Sequence, residues 1–169
     1  MDFAKLISDR YSVRSFDSRP IEEEKLQQIL EAGRIAPTAC NNQPQRVKVI
    51  SSAEDIKKFD DCSPCRFGAP TVLLVCYDKK KSWIRKFDSA DMGTVDAAIV
   101  TTHLMLQAEA LGLGSVWIGY FDPQKIIENF QLPENIVPIA VLPLGYKSKD
   151  AAPAPLHTDK ESMENMLLS

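Results

Sequence analysis

Two short stretches hold most of the side chains in this sequence that could do chemistry. The first, "RYSVRSF", runs from Arg10 to Phe16 and sets Arg10, Tyr11, Ser12 and Arg14 within a turn or two of chain. A planar guanidinium fork beside a hydroxyl is the chemistry of oxyanion recognition, because two parallel N–H donors match two oxygens and the hydroxyl adjusts to a third. Taken alone, the stretch is as readily a surface turn as an anion clamp. The second, "APTACNNQPQ", brings Pro37, Thr38, Ala39, Asn41 and Gln43 together. Amides on a turn can pair with the donor and acceptor edge of a heterocycle, or can simply form the turn.

Other constellations carry less. Cys62-Ser63-Pro64-Cys65 has metal or redox spacing, but Gly68 and Pro70 follow where a thioredoxin-like motif needs a helix. A zinc site needs a second ligand pair, and the two histidines, His103 and His157, lie far off with no matching spacing. "GLGSVWIG" follows a helix and enters a strand, the reverse of a phosphate-binding glycine loop. No nucleophile elbow is present, and no pattern marks a general acid or base.

The elements that must position these residues are legible in outline. Phe3, Leu6 and Ile7 have helical spacing and lead directly into Arg10. Pro20 is expected to open a second helix, with Glu22, Glu23 and Glu24 at its positive end and Leu26, Ile29 and Leu30 as its buried stripe. Val47–Ile50 reads as a strand and Ser52 as the cap of a short helix reaching Phe59. "PTVLLVCY" is apolar throughout, as a strand covered on both faces should be. From Thr94 to Leu111 the chain is apolar nearly all round, which predicts a long helix buried on several sides, ended by Gly112 and Gly114. Ser115–Gly119 reads as a strand, Asp122-Pro123 as a helix start, and Val137–Gly145 as a last strand whose prolines place it at an edge or beside irregular pairing. Beyond Gly145, "YKSKDAAPAPLHTDKESMENMLLS" cannot build a core and reads as an extended arm seeking a surface, a second subunit being the natural one.

With 169 residues the chain is the size of one domain, and 44% apolar with 25% charged residues is ordinary for a folded soluble protein. A net charge of -3 offers no field for nucleic acid or an anionic membrane, so any anion site must be local. No run approaches a membrane span and the N-terminus lacks a signal peptide, which predicts a cytoplasmic protein. The expected architecture is α+β: three layers, with a mixed central sheet of about four to five strands flanked by helices.

The order of these features resembles the FMN-dependent nitroreductase family. The resemblance rests on Arg10, Ser12, Arg14 and Phe16 after the first helix, on Ala36-Pro37-Thr38 with Asn41, Gln43 and Pro44, on Leu111-Gly112-Leu113-Gly114-Ser115, on Gly119-Tyr120-Phe121-Asp122, and on Leu144-Gly145-Tyr146. It covers nearly the whole chain and implies a homodimer with FMN at the subunit interface. Arg10 and Ser12, with Tyr11 between them, would meet the FMN phosphate, and Arg14 the pyrimidine edge of the ring. Thr38, Ala39 and Asn41, with Pro37 and Gln43 of the same turn, would line the ring from the other subunit, and backbone groups of Ile118, Gly119 and Tyr120 would face its N5. Lys160 is the tail's candidate for a basic residue at the phosphate.

The chain departs from the family pattern at Ala39, where a serine is frequent, at Gln45-Arg46-Val47, and in a tail reading Asp159-Lys160-Glu161-Ser162 rather than a basic cluster. The implied activity is ping-pong hydride transfer from NADH or NADPH to a nitroaromatic, quinone or similar acceptor. Alternatives on the same fold are a dehalogenating or flavin-fragmenting enzyme and a non-catalytic FMN-binding protein.

Overall fold

The structure is a computed structural model and describes residues 2–168. Six α-helices and four strands are defined among them. α1 spans Phe3–Asp9, α2 Glu23–Arg34, β1 Gln45–Ile50, α3 Ala53–Asp60, β2 Thr71–Asp78, α4 Gly93–Ala110, β3 Gly114–Ser115, α5 Pro123–Asn129, β4 Ile136–Gly145 and α6 Met163–Met166.

The sheet order is β1-β2-β4-β3. Every pairing between these strands is antiparallel, rather than mixed; the parallel component is a single bridge, Ser12 to Ser115. Alternation along the strands sorts side chains into two cores. Leu73, Val75, Leu142 and Leu144 face α2 and α4. Val72, Leu74, Cys76 and Val141 face Phe59 of α3 and Ile126 of α5. Helices thus cover both faces, and β2 is buried along its whole length, as its unbroken apolar sequence requires.

α4 is the pillar of the first core. Val100, Leu104 and Ala108 are fully buried, and α2 approaches so closely that a Cβ on Gly33 would lie 2.7 Å from Leu104 Cδ2. Its end is a Schellman motif: the N–H of Leu113 donates to Ala108 O and that of Gly112 to Glu109 O, both at 2.9 Å, with Gly112 at φ 76° where a side chain would be strained.

Some expectations shift. α2 begins at Glu23 rather than at Pro20, because Glu22 is still extended (φ -62°, ψ 136°) and its carboxylate accepts from the Tyr146 hydroxyl at 2.6 Å. The strand expected over 115–119 shrinks to Gly114–Ser115 plus one bridge from Ile118 to Val141. β4 is interior, not an edge. Its prolines are tolerated because the register with β2 shifts at Val75/Cys76, next to Pro138, and because Pro143 turns its backbone toward Val116, where only a short strand pairs.

The four cysteines are free. Cys62 is buried with its thiol on Lys58 O at 3.2 Å, and burial pushes its pKa up. Burial raises Cys76 to about 12. A thiol reagent near neutral pH is therefore expected to modify exposed Cys40 first and to reach Cys62 and Cys76 only on unfolding. Equal rates at Cys40 and Cys76 in the native protein would contradict this packing. Among the described residues no cluster of three or more His, Cys, Asp or Glu side chains could hold a metal, and no helix is long and apolar enough to cross a membrane.

Candidate functional site

The stretch after α1 is shaped by the helix end and by β3. Arg10 caps α1 with an extended backbone (φ -60°, ψ 130°) while its N–H still reaches Leu6 O. The chain then runs extended, so side chains alternate. Val13 is fully buried and its N–H donates to Ser115 O at 3.0 Å, which leaves Ser12 and Arg14 on the opposite face. This approach needs Gly114, where a Cβ would lie 2.7 Å from Val13 Cγ2 and 2.9 Å from Lys147 Cγ. Gly114→Ala is therefore expected to push the stretch outward, costing about 1–3 kcal/mol of stability and weakening anion binding. Unchanged values of both would mean that the contact relaxes freely.

A cavity of about 190 Å³ opens here, lined by Arg10, Tyr11, Ser12 and Arg14 on one side and by Ala154, Leu156, His157 and Lys160 on the other. Three fixed cations and an imidazole share it, and no carboxylate lines it. The tail reaches it by a zipper on its own chain. Lys147 bridges Phe16, Ser148 N donates to Ser15 O at 3.1 Å, and the Ser148 and Ser15 hydroxyls pair at 2.8 Å. Tyr11 Oη then donates to Ala151 O at 3.3 Å, and the Tyr11 and His157 rings meet edge to face at 6.1 Å. The first half of the arm thus lies on its own chain; Met163, Met166, Leu167 and Leu168 beyond it are exposed.

The amide-rich turn is held by its own hydrogen bonds. Thr38 Oγ1 accepts from Gln43 N at 3.1 Å, Thr38 O accepts from Asn41 N at 3.0 Å, and Gln43 Nε2 donates to Asn41 O at 3.2 Å. Cys40, Asn41 and Gln43 all sit at positive φ, 51°, 54° and 52°. Asp96, only 2% exposed in the first turns of α4, holds the turn by accepting the Ala39 N–H at 2.9 Å. Its signal was present in the sequence, since Asp96 is the only charged residue between positions 94 and 108.

In the third segment, Ile118 exchanges both backbone hydrogen bonds with Val141, and Tyr120 O accepts from Ser63 Oγ at 2.7 Å. Among the hydrogen bonds of the described residues, the N–H groups of Gly119 and Tyr120 have no partner, and Gly119 faces open space. A broader groove of about 420 Å³, lined by Gln27, Glu31, Arg34 and Gln45 among others, takes in Gln43 but none of the arginine–serine stretch.

One chain therefore assembles Arg10, Tyr11, Ser12, Arg14 and Lys160, and adds His157, Leu156 and Ala154, which carried no local signal. It does not bring Pro37, Thr38, Ala39, Asn41 and Gln43, or Ile118, Gly119 and Tyr120, to that cavity.

Comparison with known proteins gives these features a common frame. The Nitroreductase family profile matches residues 7–65 and 63–146. The chain is 32% identical over 169 residues to an FMN reductase [NAD(P)H] of Bacillus subtilis, with 89% of this chain and 68% of that protein covered. A crystal structure of a nitroreductase family protein from Clostridium difficile superposes with a TM-score of 0.93 at 43% identity, covering 99% and 98% of the two chains. A structure from Exiguobacterium sibiricum solved in complex with FMN shares the fold, with a TM-score of 0.84 at 22% identity over 100% and 97% of the chains. The arginine–serine stretch, the amide turn and the glycine-ended helix lie within the matched span, and this chain belongs to the nitroreductase family.

Proposed function

We propose that the protein is a homodimeric, FMN-dependent NAD(P)H oxidoreductase, a single domain over 1–169 acting in the cytoplasm. Bound FMN supplies the redox chemistry, accepting a hydride at N5 from NADH or NADPH and passing it in ping-pong turnover to a nitroaromatic, quinone or similar acceptor. The observation that carries this reading is the cavity with three fixed cations, a serine and no carboxylate, which suits a phosphate dianion and not a neutral ligand.

Each segment then has a task. Arg10, Ser12 and Lys160 hold the phosphate, with Tyr11 as a wall, and Arg14, the most exposed of the stretch, points its charge toward the pyrimidine edge of the ring. The unpaired N–H groups of Gly119 and Tyr120 are available to a ring acceptor such as N5. The Pro37–Gln43 turn lines the ring from the second subunit, which accounts for its distance from the cavity in its own chain. Phe3, Ile7 and Val95, 63%, 49% and 46% exposed on α1 and α4, supply apolar surface for such a partner.

Purification tests this directly. The expected preparation is yellow, with about one flavin per chain, and is bleached by NADH or NADPH without air. A colourless protein that takes up no added FMN would overturn the reading; bound flavin that neither nucleotide reduces would leave an FMN carrier instead.

A further inference from the structure

We propose that His157 is a proton-dependent contact for the phosphate of FMN, so that the protein holds its cofactor more tightly as pH falls through neutrality; the inference rests on the FMN reading above. His157 closes the tail side of the same cavity as Arg10, Ser12, Arg14 and Lys160, and its ring is fixed edge to face on Tyr11 at 6.1 Å. Tyr11 is itself tied to Ala151 O at 3.3 Å. The imidazole is thus held by the fold, on the last short helical turn before Lys160, Pro155–His157.

The surrounding charges set the sign. Arg10 and Arg14 face the cavity from the stretch after α1, and Lys160 from the tail. Lys147 Nζ lies 4.9 Å from the centre of the Tyr11 ring and is paired with Glu109 at 2.7 Å, so its charge is largely balanced. A phosphate dianion bound in this cavity, within reach of the His157 ring, favours the imidazolium over the neutral imidazole. Binding then takes up a proton and tightens as pH falls. The gain ends below about pH 6, where the phosphate itself gains a proton.

The test is the dissociation constant of FMN for the flavin-stripped full-length protein, read by quenching of flavin fluorescence at about pH 6.5 and about pH 8.5, with riboflavin, which lacks the phosphate, alongside. Wild type is expected to bind FMN roughly tenfold tighter at the lower pH, as one added charge-assisted hydrogen bond allows. His157→Gln should change by no more than about twofold, and His157→Lys should bind tightly at both pH values because its charge is permanent. Riboflavin affinity should be the same in all three proteins, which also shows that the variants are folded. Equal pH profiles in wild type and His157→Gln, or a riboflavin profile as steep as that of FMN, would overturn the inference while leaving FMN binding intact. A wild type that binds FMN at neither pH would overturn the cofactor reading itself.

Discussion

Arg10→Ala is expected to weaken FMN binding roughly 10- to 100-fold, the loss that follows from removing one charge-assisted contact of about 1.5–3 kcal/mol. Arg10 is half-buried and caps α1, so its guanidinium starts from a constrained backbone and loses little freedom on binding. Lys160 is exposed on the tail, and Lys160→Ala should cost less, nearer the range of a solvated ion pair. Ser12→Ala should fall between, since its hydroxyl is neutral. Fluorescence titration with FMN and with riboflavin separates phosphate from ring contributions: the Arg10→Ala loss should appear with FMN alone. An unchanged dissociation constant would mean that the phosphate lies elsewhere. Because α1 packs against α4 and its buried residue is Leu6 rather than Arg10, thermal stability should be nearly untouched.

Leu104→Ala is expected to be the most damaging single truncation of the core, at about 2–5 kcal/mol. Leu104 is fully buried on α4, between α2 and the sheet. Gly33 already lets α2 approach to van der Waals contact there, so the helices have little room to move closer and refill a void. Set against a total stability of about 5–15 kcal/mol, the variant should fold but unfold at a markedly lower urea midpoint with an unchanged denaturant slope. A cost below about 1 kcal/mol would show that α2 and α4 collapse together after all. Since Asp96, three turns of α4 away at most, anchors the 38–43 turn, added lability of α4 should also be felt as weaker flavin retention before global unfolding.

Local signals in the sequence were reliable where a few neighbouring residues decide the outcome. The Asp122 and Ser52 caps accept the backbone donors expected of them, Gly112 ends α4 in the left-handed conformation that glycine adopts without strain, β2 is buried throughout and α4 is buried on several sides, as their patterns require. The arginine–serine stretch was legible as a candidate for a similar reason: the chemistry of arginine and serine is intrinsic to those side chains. The partners across the cavity were not. His157 and Leu156 lie in a segment without periodicity, and they reach Tyr11 through a zipper of Lys147 and Ser148 on Phe16 and Ser15, about 130 residues apart in sequence; no pattern within a window of ten or twenty residues encodes a pairing of that separation.

The same division holds for the sheet and the turn. Strand-forming segments were visible, but their order, the wholly antiparallel pairing and the interior place of β4 were decided by which faces could be buried together, with a register shift at Val75/Cys76 beside Pro138. Asp96 could be noticed as the one charge between positions 94 and 108, yet its role as the acceptor for Ala39 N–H exists only once α4 is set beside the turn. By itself, then, the sequence determined the principal helices, several of their caps, the buried strands and a candidate oxyanion-binding chemistry, because these depend on side-chain type and short-range periodicity. Only the tertiary structure decided that Lys160 and His157 complete the cavity begun by Arg10 and that the amide turn stands apart from it. Those contacts arise from the return of the tail along Ser15 and Phe16, a non-local pairing whose free energy comes from hydrogen bonds and packing available only after the core has formed.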